Sequence, residues 1–267
     1  MVDRVRRVLG TRAVGHAGTL DPFATGLLVV LIGRATRLAR FVEREDKEYL
    51  AEAVLGVATE TDDATGDVLA EHRPDRWPGR GEIEEALGEL RGTYPQRPPA
   101  YSARRTAGRR GYELARRGQG VDLPATPVTV RTLDPLEWSP PVLVFRAVVS
   151  PGTYVRALAR DLGERLALGG HLRALRRERI GTFRVADAVA LDAVAPETRL
   201  LTPLELLPSM RRWPLTGEQA RAAGHGQVVP AEAAVGEAAL VSREDRLVAV
   251  AEGNGNGWQP RVVLEPA

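Results

Sequence analysis

The stretch GHAGTLDPFATG, residues 15–26, holds one carboxylate, Asp21, between a glycine turn and a proline, five residues after His16, one of four histidines in the chain. Asp-Pro after glycine is ordinary turn chemistry, since aspartate bonds nearby backbone and proline presets φ. The same carboxylate could act as a nucleophile or base, and the rest of the chain narrows the choice. Cysteine is absent, which excludes thiol nucleophiles, disulfides and thiolate zinc sites. No histidine stands at a serine-protease or metal-ligand spacing, and no glycine-rich loop matches a phosphate-binding strand-to-helix pattern. An enzyme built from this chain must use carboxylate, hydroxyl or guanidinium groups, and a metal-free aspartate beside an arginine is the economical choice.

A partner for Asp21 is suggested by SPGTYVRALARDLGERL, residues 150–166. Thr153 is placed to cap a helix whose core stripe is Val155, Leu158, Ala159, Leu162 and Leu166. Arg156 and Arg160 then fall in the first two turns on the opposite face, where the helix dipole disfavours cations. Arg160 can pair with Glu164 one turn on. Arg156 has no such partner in sequence. A cation beside open helix N–H groups makes an anion site.

The elements that must position these groups follow from periodicity. VDRVRRVL opens the chain as an amphipathic helix, LLVVLIG (27–33) is a buried strand and ATRLARFVERE (35–45) a helix. Tyr49, Ala51, Ala53, Leu55 and Val57 alternate as a half-buried strand, and the acidic turn TETDDATGD follows. EIEEALGELRG (82–92) is a short helix ended at Gly92. Residues 95–127 combine five prolines, four glycines and arginine pairs, which suits a functional excursion with a short helix at 112–117. VTVRTL and VLVFRAVVS (142–150) are strands, HLRALRR (171–177) is expected to be a second basic helix, and RIGTFRV a strand. Patterning stops near PSMRRWP (208–214). Beyond it AALVS, LVAVAEG and RVVLEP indicate a small β module. A chain of 267 residues can bury roughly three quarters of its unfolded surface without staples.

Charge is segregated rather than large. The net charge is +2, with 36 arginines and the single Lys47 among 37 basic residues. Residues 97–120 carry seven arginines against Glu113, and residues 156–184 carry eight against three acids. A basic face of this kind suits phosphate, although arginine on a solvated surface gives the same count. No apolar run nears the roughly 20 residues of a membrane helix, and no export signal opens the chain, so a cytoplasmic protein is expected.

In order and spacing, GHAGTLDPFATGLLVVLIGRATR, DKEYLAEAVLG, PPAYSARRTAGRRGYELARRG and SPGTYVRALARDLGE followed by LRALRRERIG resemble the bacterial tRNA pseudouridine synthases that act on the T-loop uridine, the TruB type. The resemblance implies an α/β (α+β) pseudouridine synthase fold over residues 1–210, with a mixed, largely antiparallel sheet flanked by helices. A thumb-loop insertion spans about 102–127, and a PUA-like RNA-binding β module occupies 211–267. It further implies that Asp21 is the catalytic aspartate, Arg156 its partner and Tyr154 the active-site tyrosine. Tyr49 would stack on the target uracil, Leu175 line the pocket and His16 enter the T-loop beside the extruded base. Arg104, Arg105, Arg109, Arg110, Arg173, Arg176 and Arg177 would meet phosphates. The implied chemistry needs no cofactor and no metal. The partner is the tRNA T-arm, met by a monomer with no membrane attachment. Family members carry a Lys-Pro-x-Gly strand and turn before the helix at residue 2, and this chain is expected to start after them. Two other functions fit parts of the pattern: a guide-RNA-dependent pseudouridine synthase, which would lack such a thumb loop, and a non-catalytic tRNA-binding or remodelling protein.

Overall fold

The computed structural model describes residues 1–102 and 123–264 and, as backbone only, 105–106 and 109–110. The expected helix at 112–117 and most of the 102–127 excursion lie outside the described residues. The chain begins with α1 (Val2–Val8), β1 (Val14–Ala17), β2 (Thr25–Gly26), β3 (Val29–Ile32), a 3-10 turn (Gly33–Leu38) and α2 (Ala39–Glu43). Next come β4 (Lys47–Leu55), β5 (Val57–Thr59), β6 (Val68–Glu71), α3 (Arg80–Glu89), β7 (Gly92–Gln96), β8 (Arg105–Thr106) and β9 (Arg109–Arg110). Then follow β10 (Thr126–Ser139), β11 (Val142–Val149), α4 (Val155–Arg165), β12 (Gly170–Ile180) and β13 (Phe183–Arg184). The last elements are β14 (Arg212–Pro214), α5 (Gly217–Gly224), β15 (Val229–Val241) and β16 (Leu247–Val263).

Contacts group the chain into two compact units: Leu20–Leu27 with Glu45–Ala188, and Met1–Thr19 with Leu28–Arg44 and Val189–Ala267. In the first, strands run β13-β12-β4-β11-β10-β7, all antiparallel, and the short β2 adds to β12 in parallel. One face of this sheet is apolar because β4 and β11 alternate. Ala51, Ala53 and Leu55 meet Leu143, Phe145, Ala147 and Val149 in a core that also takes Ile83 and Leu87 of α3 and Leu158 and Leu162 of α4. Full burial of such a side chain is worth about 1.5–3 kcal/mol.

HLRALRR, expected to be a helix, is the centre of strand β12. Leu172 and Leu175 have the three-residue spacing of a helix face, yet a β-bulge at Arg173 and Ala174 puts them opposite Ala53 and Ala51 on one side of β4. An extra residue in a strand turns period two locally into period three. The second correction concerns α4. Its N-cap is Tyr154, extended at φ −100° and ψ 114°, rather than Thr153, and no side chain caps it. Thr153 Oγ1 instead lies 3.3 Å from Ser150 Oγ, which accepts the Thr129 amide at 2.8 Å.

In the other unit, β1 pairs with β3, and β14-β15-β16 form a three-stranded sheet. The segment expected to be a helix from 35 to 45 is part 3-10 turn and part α2. Thr216 and Gln219 cap α5 reciprocally. LVAVAEG and the Arg261–Val263 part of RVVLEP, expected as separate strands, belong to one strand, β16. Gly253 and Gly257 allow this, since a Cβ on either would come within 2.3 Å and 2.6 Å of β15 backbone. Trp258 is fully buried with its ring centroid 5.4 Å from that of Trp213.

The packing of α4 on β12 is tightest at Gly163. A Cβ at Gly163 would lie 2.3 Å from the Gly169 carbonyl carbon and 2.4 Å from the Gly170 amide nitrogen, with only backbone to yield. Gly163→Ala is therefore expected to destabilise the protein by about 1–3 kcal/mol, read as a lower urea midpoint. An unchanged midpoint would contradict this contact.

Candidate active site

Residues Leu20–Leu27 are tied down at both ends of their turn. Asp21 O accepts the Ala24 amide at 2.9 Å, which closes a turn around Pro22 and Phe23. Downstream, Thr25 and Gly26 pair with Arg176 and Arg177 of β12, and Leu27 N donates to Arg177 O at 2.8 Å. Gly26 sits at φ +95°, and a Cβ there would approach Arg177 O to 2.3 Å. Only glycine permits both that backbone conformation and that approach.

Asp21 faces Arg156 across a bidentate pair. Arg156 Nε donates to Asp21 Oδ2 and Nη2 donates to Oδ1, both at 3.0 Å. The remaining donors are also engaged: Nη1 reaches Thr61 O at 2.8 Å and Asp63 Oδ2 at 3.3 Å, while Nη2 also reaches Tyr101 O at 3.0 Å. Four of the five N–H groups of the guanidinium are thus hydrogen-bonded, and Asp63 adds a second carboxylate as an ion pair. The Arg156 side chain is 5% exposed and that of Asp21 is 32% exposed. The anchor is thus interior while the carboxylate it orients still meets solvent.

Asp63 was not singled out from the sequence, where it was one residue of an acidic turn. It is buried, and its Oδ1 accepts from Thr61 Oγ1 at 2.7 Å and the Thr65 amide at 2.9 Å as well as from Thr65 Oγ1. The turn is fixed to β12 through Leu172, whose amide donates to Asp62 O and whose carbonyl accepts the Ala64 amide. Arg160, expected to pair with Glu164, makes its closer contacts to Asp62 at 2.8 Å and Asp161 at 2.7 Å, with Glu164 at 3.9 Å. Burial raises the Asp62 and Asp161 carboxyls above the usual range, against the lowering effect of Arg160.

Tyr49 stands opposite Arg177 of β12 and Ala147 of β11. Burial pushes its hydroxyl up, the Arg177 guanidinium pulls it down by charge and hydrogen bond, and the nearby Asp21 carboxylate raises it. Leu175 is buried on β12, and its carbonyl accepts from Thr25 Oγ1 at 3.4 Å. Tyr154 is half-buried at the start of α4, two residues before Arg156. His16 lies on β1, opposite Val30, with its Nδ1 buried and without a hydrogen-bond partner among the described residues.

The arginines expected at phosphates divide. Arg173 and Arg176 are exposed, paired with Glu52 and Glu178 at 2.6 Å. Arg177 is a correction: it is 1% exposed, and its Nε donates to Leu27 O at 2.8 Å. The pattern Arg-Arg in a strand sends neighbours to opposite faces, so one of the pair becomes interior. Arg104 and the side chains of Arg105, Arg109 and Arg110 lie outside the described residues. Within those residues no group of three or more His, Asp or Glu side chains could hold a metal ion. No described helix is long and apolar enough to cross a membrane.

Comparison with known proteins assigns this arrangement to a class. The family model of the TruB family pseudouridylate synthase N-terminal domain matches residues 6–155, and that of the tRNA pseudouridylate synthase B C-terminal domain matches residues 156–205. The fold also aligns, with TM-score 0.71 and 22% identity, over 99% of this chain and 81% of a chain in the archaeal box H/ACA sRNP Nop10–Cbf5 complex. These matches make the protein a pseudouridylate synthase by class. Over its whole length it is 44% identical to the tRNA pseudouridine synthase B of Mycolicibacterium paratuberculosis, of which it covers 93%. It is 40% identical over 99% of its length to the enzyme of that name from Thermobifida fusca, again covering 93% of the relative. The chain belongs to the TruB family.

The raised Tyr49 hydroxyl gives a signed pH effect. A folded-state value above the unfolded one, about 10, favours the folded state below that pH. The contribution is lost as pH rises through the folded value. Tyr49→Phe removes that loss, so urea midpoints of wild type should fall more steeply than those of the variant above about pH 10. Parallel curves would contradict the burial assigned to this hydroxyl.

Proposed function

We propose that the protein is a tRNA pseudouridine synthase that isomerises the T-loop uridine with Asp21 as the reacting carboxylate. The observation that carries this reading is the bidentate Asp21–Arg156 pair, with Arg156 buried and Asp21 partly open. Family membership and the names of the full-length relatives support the substrate class.

The reaction breaks the bond between N1 of uracil and C1′ of ribose and forms one from C5 to C1′. The proton on C5 is lost and N1 regains one, so nothing is oxidised and no group leaves. It needs a carboxylate at the sugar–base junction, a base for the C5 proton and a closed pocket for detached uracil. Asp21 fills the first role and Tyr154 the second. Arg156 occupies two of the roughly four lone-pair positions of the carboxylate and leaves the others toward substrate. Tyr49 stacks on the base, which returns about 1–3 kcal/mol against the few kcal/mol needed to extrude a nucleotide. Leu175 lines the pocket, and His16 enters the T-loop beside the extruded base.

Residues 1–210 carry the catalysis, with a thumb loop at about 102–127 that folds onto the RNA, and residues 211–267 form a PUA-like module that grips the T-arm. Arg173 and Arg176 stay in the set that meets phosphate with Arg104, Arg105, Arg109 and Arg110. The enzyme acts as a cytoplasmic monomer without cofactor. Recognition through backbone and shape suits a folded RNA loop.

Tritium release from C5-labelled unmodified tRNA tests the assignment. Wild type should release label and Asp21→Asn should not, and a transcript with cytidine at the T-loop position should leave the label of its other uridines in place. Release by Asp21→Asn at the wild-type rate, or binding of tRNA without release by either protein, would contradict it. Affinity for the same tRNA should drop steeply with salt, and a flat response would remove the phosphate role of the arginines.

A further inference from the structure

The N-terminus of α4 carries Tyr154 and Arg156, yet no local side chain caps it. In a capping box, a Glu or Gln three residues into the helix bonds the N-cap amide. Here that position is Ala157, which is buried and has no polar side-chain atom. The missing acceptor comes from the end of β7 instead. Gln96 Oε1 accepts the Tyr154 amide at 2.9 Å, and Gln96 Nε2 donates to Tyr154 O at 3.2 Å. Nε2 also donates to the Tyr94 hydroxyl at 3.2 Å. Gln96 is 1% exposed. The orientation of its amide is fixed by chemistry, because the backbone N–H of Tyr154 requires an acceptor, while the Tyr154 carbonyl accepts from the Leu158 amide and from Gln96 together.

We propose that Gln96 is the positioning residue for Tyr154. By gripping both polar groups of one peptide residue, its side chain copies the reciprocal bonding of a sheet pair across 58 residues of sequence. The grip fixes the φ and ψ from which the Tyr154 side chain departs, and it sets the first residue of the helix that holds Arg156. Gln96 also ends the strand from which the 97–125 segment departs, so the strand before the insertion and the active-site helix share one anchor. The inference rests on the reading of Tyr154 as an active-site residue. The titratable group bonded to Gln96 is the Tyr94 hydroxyl, pushed up to about 12 by burial; the Asp161 carboxylate raises it further, and the Gln96 hydrogen bond and the Arg165 and Arg160 guanidinium groups lower it.

The test uses the full chain, with single-turnover pseudouridine formation on unmodified tRNA, tRNA affinity, and hydrogen exchange at the Tyr154 amide. Gln96→Met keeps the bulk but loses the pairing. It should slow turnover roughly 10- to 100-fold, leave tRNA affinity within a few-fold and speed exchange at Tyr154. Gln96→Glu supplies the discriminating arm. Its neutral carboxyl has one donor and one acceptor and restores the pairing, whereas its ionised form offers only acceptors to the Tyr154 carbonyl. The ratio of its rate to that of wild type should therefore rise as pH falls from about 8 to about 5.5. This arm decides if Gln96→Met does not fold. A wild-type rate in Gln96→Met, unchanged exchange at Tyr154, or a pH-independent rate ratio for Gln96→Glu would overturn the proposal. Full activity in Tyr154→Phe would instead overturn the role of Tyr154, and exchange at its amide tells the two failures apart.

Discussion

The guanidinium of Arg156 is the constraint on which the site depends. A cation in the first turn of a helix opposes the helix dipole at a cost of about 0.3–1 kcal/mol, and burying it costs several more unless it is paired. Two carboxylates and two carbonyls remove that cost. Asp21 comes from the loop before β2, Asp63 and Thr61 from the turn after β5, and Tyr101 from the segment that follows β7. Three stretches of chain therefore meet the one planar group that α4 presents, and its fork geometry permits few arrangements. The loop that carries Asp21 is held independently by its pairing to β12. The carboxylate is thus fixed by backbone at one side and by Arg156 at the other.

The sheet supplies the frame for these contacts. β12 joins the loop that carries Asp21 on one edge to β4 on the other, and its buried Arg177 reaches both Leu27 and Tyr49. A residue chosen from sequence as a phosphate ligand is in this way a strut between the loop and the expected stacking tyrosine. α4 lies close on the same strand because Gly163 and Gly170 leave no side chain between them. That contact sets how near the helix bearing Arg156 can come to the sheet.

Much of this was legible in the sequence. Asp21 stood out through its turn, and Arg156 because it broke the rule for helix N-termini without a local partner. Strand β4 was clear from alternation, since it has one buried face, and β11 and the first half of β10 from their β-branched and apolar residues. β12 was misread because its bulge mimics helical spacing and its arginines suggest an exposed helix. Asp63 was hidden in an acidic turn, where any of four acids could face inward and only the fold chooses. Gln96 gave no signal, because its bonds to Tyr154 are to backbone atoms that sequence does not name. The cap of α4 was placed one residue early for a related reason: Thr153 is engaged by Ser150, and a strand distant in sequence completes the helix start.

In the proposed mechanism Arg156 acts through the geometry of its planar fork as well as through its charge. Single-turnover pseudouridine formation by Arg156→Lys, compared with Arg156→Ala and wild type, tests this directly. An ammonium keeps the charge but has three donors and no fork. If geometry governs, Arg156→Lys should be nearly as slow as Arg156→Ala, with tRNA affinity close to wild type in both. Recovery of Arg156→Lys to within a few-fold of wild type would contradict the account and leave charge alone as the role of this residue.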